Sequence, residues 1–162
     1  MFKKLILTFF FLMQSNNSFT QELKGKFADW SIFVYDNGNK KICYMTSLPI
    51  KKNGNYYQRG EPYFLVTNSN DNIDEITISS GYNYKEFSEV ELSFGLKKFN
   101  IFTYKNLSWS NSKTDDIDII KEMKRNLDIV VKGLNKKNEY SSDTYSLIGF
   151  NQAFRKMKEA CQ

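Results

Sequence analysis

Cys43 and Cys161 are the only thiols in this chain of 162 residues, and the chain has no histidine. Those two facts decide most of the chemistry open to it. Without an imidazole, neither a Ser-His-Asp nor a Cys-His device can be assembled. Zinc ligation is equally poorly served, because no histidine or C-x-x-C pair completes a set around either sulfur. A P-loop and a G-x-G-x-x-G are both missing, and Gly54 and Gly60 stand too far apart to cradle a phosphate, so no cofactor is expected. Carboxylates remain. Glu61, Asp74, Glu75, Glu86, Glu89 and Glu91 gather around the middle of the chain. Glu89 and Glu91, two apart on a predicted strand, share a face and could imitate the paired acids of a small hydrolase. The same spacing belongs to the wet face of an amphipathic strand whose other face carries Val90, Leu92 and Phe94. The second explanation suffices, and the expectation is that the protein is not an enzyme.

Binding is better served than catalysis. Tyr56, Tyr57, Tyr82 and Tyr84 fall at or near predicted strand ends, where amphipathic rings often anchor a partner or a sugar. Ordinary packing over a sheet edge is the competing and blander reading. Trp30, opening a strand, and Trp109, leading into a helix, are expected in the core.

The two cysteines belong with the N-terminal segment. Lys3 and Lys4 precede the apolar run Leu5–Met13 (LILTFFFLM), the pattern of an export signal. Nine residues are too few to cross a bilayer, which needs about 20. Residues 1–20 are therefore read as a signal peptide, with the cut placed only loosely between Ser15 and Gln21, and 21–162 as one domain. No cysteine closes the apolar run, which argues against a lipid anchor, and no later stretch is apolar enough to serve as a transmembrane anchor. The expected location is the periplasm or beyond. In that oxidising setting Cys43 and Cys161, 118 residues apart, are expected to form one structural disulfide between the first hairpin and the last helix.

Composition is that of a globular domain, with 41% hydrophobic and 25% charged residues. Loss of Lys3 and Lys4 with the leader lowers the formal charge from +5 to +3, and the remaining lysines are scattered among acids. A nucleic-acid binder would gather them into a stripe, so no nucleic acid is expected as a partner.

The elements that must position these residues are short and frequent. Trp30–Tyr35 and Lys41–Ser47 form a hairpin across the Asn-Gly turn at 37–38. Strands follow at Tyr63–Thr67, Glu75–Ser79, Glu89–Phe94, Lys98–Thr103, Leu127–Val131 and Thr144–Ile148, with Leu48–Gly60 as a polar loop. Thr114 is read as the cap of a helix that turns Ile117, Ile120 and Met123 to one side. In Phe150–Cys161 the residues Phe150, Ala153, Phe154, Met157 and Cys161 recur every three or four positions, so a last helix lies on the sheet. The fold class is mainly β: an antiparallel sandwich or flattened barrel with one internal helix and a packed C-terminal helix.

Several segments, taken in order, resemble one family. Phe27-Ala28-Asp29-Trp30 with Lys41–Pro49 (KICYMTSLP), Arg59–Tyr63 (RGEPY), Ile78–Tyr84 (ISSGYNY), Lys98–Phe102 with Trp109, Val130–Gly133 (VVKG), Asp143–Phe150 (DTYSLIGF) and Ala160-Cys161 are similar to the invasion associated locus B proteins of bacteria. The segment after Gly133 departs from the family, reading LNKKN where a Ser/Gly/Thr-rich turn is expected. The resemblance implies an exported, mostly β protein with a binding, envelope or host-interaction role and no established reaction. Its partner is then an unknown protein or envelope component. The alternatives are a module that binds or inhibits another periplasmic protein, and the carboxylate hydrolase weighed above.

Overall fold

The computed structural model describes residues 21–36, 38, 40–69 and 73–162. The leader, and Asn37 of the first turn, lie outside the described residues. Those described form two helices and one antiparallel sheet, whose eleven strands are β1 (Gln21–Phe27), β2 (Trp30–Asp36), β3 (Lys41–Ser47), β4 (Lys51–Gly54), β5 (Tyr63–Ser69), β6 (Asp74–Ser79), β7 (Glu89–Phe94), β8 (Lys97–Tyr104), β9 (Leu107–Trp109), β10 (Asp128–Leu134) and β11 (Tyr140–Ser146). The helices are α1 (Lys113–Met123) and α2 (Phe150–Ala160). Strand order across the sheet is β1-β2-β3-β5-β6-β9-β8-β7-β10-β11-β4, so the sheet stays open with β1 and β4 as its edges. The expected mainly-β class with an internal and a C-terminal helix is the observed one.

One hydrophobic core collects the inward positions of nearly every strand. Trp30, Ile32, Met45, Phe64, Val66, Ile76, Ile78, Leu92, Ile101, Ile129 and Val131 are fully buried. Alternation along β2, β3 and β5 accounts for this: every second residue turns inward, and the residues between are only partly covered. Trp30 sits at the centre, edge-on to Phe64 and Phe150, and its indole N–H donates to the Ser146 carbonyl at 3.0 Å. An indole deep in a core needs such a partner.

Helix α2 closes one side. Phe150, Ala153, Phe154 and Met157 are buried, and the helix lies over β1, β2 and β3. Cys161 caps its C-terminus and is joined to Cys43 of β3, with Cα atoms 5.7 Å apart. Helix α1 is capped by Ser112, whose Oγ accepts from the Asp115 N–H at 3.1 Å, and not by Thr114. The inward stripe is Asp116, Ile119, Ile120 and Met123, while Ile117 faces solvent. Trp109 also departs from expectation: it lies in β9, half-buried, stacked on Phe102 with centroids 5.6 Å apart. Strand β11 begins at Tyr140, four residues before the expected start, and that shift places Asp143 inside it.

Candidate functional site

The polar centre of the molecule is built by three segments that meet at one end of the sheet. The first is the β4–β5 loop, which carries Tyr56, Tyr57, Arg59 and Gly60. The second is the β6–β7 connection from Ser80 to Tyr84. The third is β11, where period-two alternation turns Ser141, Asp143 and Tyr145 inward together. Arg59 reaches Asp143 with both arms of its guanidinium, Nη1 to Oδ2 and Nη2 to Oδ1, each at 2.6 Å. The two side chains are 4% and 0% exposed. Nη1 also donates to the Ser80 carbonyl at 3.1 Å and Nη2 to the Tyr56 hydroxyl at 3.0 Å, while the guanidinium carbon lies 4.1 Å from the Tyr56 ring centroid. Burial works to lower the Arg59 pKa, but the hydrogen bonds and charge of Asp143 prevail and hold it raised. Arg is suited to such a place because its planar fork matches a carboxylate with two parallel bonds.

Around this ion pair the tyrosines divide by role. Tyr84 is buried, donates to the Ser80 Oγ at 2.8 Å and accepts from the Ser80 N–H at 3.0 Å. Burial pushes its hydroxyl up to about 12. Tyr82 is partly buried, shares a 2.7 Å hydrogen bond with Ser141 Oγ and packs edge-on against Tyr84. Burial raises its pKa too. Tyr56 is held by Arg59. Tyr57 alone of the four stands out in solvent, at 90% exposure. Thus Arg59 holds Tyr56, β11 holds Tyr82, Tyr84 packs beneath, and Tyr57 is left exposed. Tyr145, deepest of all, has a hydroxyl without a hydrogen-bond partner among the described residues.

Backbone contacts fix the two loops against each other. The Gly60 N–H donates to the Gly81 carbonyl at 2.8 Å, and Gly81 has φ +79°, a left-handed conformation that favours glycine. Gly133 of β10 lies beneath both tyrosine rings. A Cβ there would sit 2.8 Å from Tyr82 Oη and 2.8 Å from Tyr84 Cε1. Gly133→Ala is expected to cost about 1–3 kcal/mol by forcing those rings apart. Denaturant unfolding checks this, and an unchanged midpoint would show that the rings can give way.

Above the locked centre lies a groove of about 710 Å³ lined by Tyr57, Gln58, Arg59, Gly60, Tyr82 and Asn83, with Lys136, Lys137 and Glu139 opposite. Its lining mixes polar and aromatic side chains, hydrogen bonds tie down Arg59 and Tyr82, and Tyr57 is exposed. The acids weighed from sequence lie elsewhere or are engaged. Glu61 pairs with Lys52, and Asp74 pairs with Lys158 at 3.0 Å. Glu91 pairs with Lys98 at 2.9 Å and with Lys132 at 3.5 Å. The hydrogen bond from Lys98 holds the Glu91 carboxyl below its usual range, the opposite of what a general acid requires. Glu75, Glu86 and Glu89 are exposed.

The ion pair that organises the site was not anticipated from sequence, although Arg59 and Asp143 both lie in segments that carried the family resemblance. A signal existed: an arginine in a Gly-Glu-Pro-bounded loop, and an aspartate alternating with Ser141 and Tyr145. With the two 84 positions apart in the chain, nothing local joined them.

The fold and this site define a class: an open, antiparallel, single-core β domain with a disulfide-tied C-terminal helix and a polar, tyrosine-lined end. Among solved structures it is similar to the crystal structure of invasion associated protein B from Bartonella henselae, with a TM-score of 0.60 over 87% of this chain and 97% of that one, at 14% identity. The likeness is one of fold. No family model matches the sequence, and no curated protein matches it. No helix among the described residues is long and apolar enough to cross a membrane.

Proposed function

We propose that this is an exported, noncatalytic binding protein of the cell envelope, which grips its partner with the groove at Tyr57 and Tyr82. One observation carries the reading. An exposed tyrosine stands over a polar groove whose floor is locked by a buried Arg–Asp pair and two hydrogen-bonded tyrosines. Preorganisation of that kind reduces the ordering cost of binding. Aromatic side chains beside a buried arginine are also the residue types that dominate binding energy at interfaces. The shared fold with an invasion associated protein and the disulfide both support export. The engaged state of Glu91 speaks against a carboxylate hydrolase.

The experiment is affinity capture from envelope extract with the folded domain, 21–162, read by mass spectrometry. A component retained by the wild type is expected to be lost with Tyr57→Ala and kept with Glu89→Gln/Glu91→Gln. Retention by Tyr57→Ala would remove the groove from the account. Loss with the double Gln variant would favour a role for the acids.

A further inference from the structure

A second surface adjoins the tyrosine groove and shares Lys136 with it. The turn joining the β6–β7 connection to β7 puts Phe87 into solvent at 102% exposure and with φ +60°. Both features cost free energy. A bulky residue in the left-handed region is strained, and an exposed phenyl ring gains nothing from the fold. Beside it, Tyr104 is 61% exposed at the end of β8, followed by Lys105, which is also left-handed at φ +55°. These rings, with Phe102, line an open groove of about 670 Å³.

Backbone hydrogen bonds tie the face together. The Tyr84 N–H donates to the Lys105 carbonyl at 2.8 Å, the Lys85 N–H to the Leu134 carbonyl at 2.9 Å, and the Lys136 N–H to the Asn83 carbonyl at 3.2 Å. Three turns are thereby bound into one platform, which presents Lys85, Lys105, Lys136 and Lys137, all exposed. The ammonium of Lys105 lies 5.3 Å from the Tyr104 ring centroid. The acids on the same turns are Glu86, Glu89 and Glu139, the last engaged by the Asn135 side chain at 2.7 Å. Four lysines against three glutamates leave a surplus of one positive charge on these turns.

We propose that this face docks on an anionic lipid surface, with Phe87 entering the headgroup boundary and the lysines meeting lipid charge. Charge complementarity selects this occupant. Lysines flanking protruding Phe and Tyr are the pattern of an interfacial contact, in which rings sit at headgroup depth and ammonium groups reach outward to phosphates. The left-handed backbone at Phe87 then has a use, since it drives the ring away from the domain. Lys136 and Lys137 also border the Tyr57 groove, whereas Phe87, Tyr104, Lys85 and Lys105 do not, and substitutions at these four separate the two surfaces.

The test is co-sedimentation of the folded domain, 21–162, with phosphatidylcholine vesicles, with and without phosphatidylglycerol. Binding is expected only with phosphatidylglycerol, and it should weaken as salt is raised. Lys85→Gln together with Lys105→Gln is expected to weaken it roughly 30-fold. Phe87→Asn should weaken it at least about tenfold. Because Asn accepts the left-handed region, that variant should unfold at the same temperature as the wild type or higher, which separates lost docking from lost folding. Tyr57→Ala should bind vesicles like the wild type. Absence of binding to phosphatidylglycerol vesicles at low salt, or binding indifferent to Phe87→Asn, overturns the proposal. A protein captured through Phe87 without any vesicle binding would overturn it as well and assign the face to that protein.

Discussion

Asp143→Ala should be among the most damaging single substitutions in the polar end of the molecule, costing about 3–5 kcal/mol. The carboxylate is fully buried and takes both arms of Arg59. Removing it strands an arginine side chain that is 4% exposed, with the Tyr56 hydroxyl and the Ser80 carbonyl as its remaining hydrogen-bond acceptors among the described residues. Arg59→Met should cost a similar amount by stranding the carboxylate. Replacing both, as Arg59→Met with Asp143→Leu, is expected to cost well under the sum, because neither buried charge then lacks its partner. A double-mutant cycle by urea denaturation gives the result. Additive losses would mean that the two side chains act separately, and the pair could not be what ties the β4–β5 loop to β11. In the single variants the loss should spread to the groove, since Tyr56 and the Gly60–Gly81 contact depend on where Arg59 sits.

The second large effect is expected at the disulfide. Cys43 lies in β3, the hairpin partner of β2, and Cys161 caps the helix that covers both strands. A bridge closing 118 residues removes much chain entropy from the unfolded state, about 4–5 kcal/mol in the simplest treatment. Cys161→Ser should therefore lower stability by about 2–5 kcal/mol. Helix α2 should be first to lose protection in hydrogen exchange, although Phe150, Ala153, Phe154 and Met157 still favour its docking. Labelling of the denatured, unreduced protein should find no free thiol. Two labelled thiols per chain would contradict the bridge, and an unchanged unfolding midpoint for Cys161→Ser would show that packing alone holds α2.

What could be read from sequence followed burial. β2, β3, β7 and α2 each bury one face, and that face wrote an apolar rhythm into the chain. β1 and β4 left no such mark. QELKGKF and KKNG are largely exposed, because each lies at a sheet edge and pairs with a single strand, with Phe27 of β1 alone of these residues packed against the core. Their charges and the register shift between Leu23 and Gly25 suit open edges that must not recruit other strands. In α1 the error was one of phase. Reading the cap at Thr114 in place of Ser112 assigned Ile117 to the core and left Ile119 out, although the spacing of 116, 119, 120 and 123 is regular once the start is known. Around the site, the tyrosines were visible as residues, but not their division into three held side chains and one free one. That division depends on Arg59 meeting Asp143, and on Ser80, Ser141 and Gly133 shaping the floor beneath the rings.

The central claim is that the groove beneath Tyr57 is the surface that meets a partner, and site-directed photo-crosslinking in intact cells tests it most directly. A benzophenone side chain placed at position 57 should give a discrete crosslinked product, while the same group at the exposed position 121 of α1 should give none. The product at 57 should disappear when Arg59→Met loosens the floor of the groove, provided the protein is still folded and exported. No product at 57, or equal products at 57 and 121, would contradict the account.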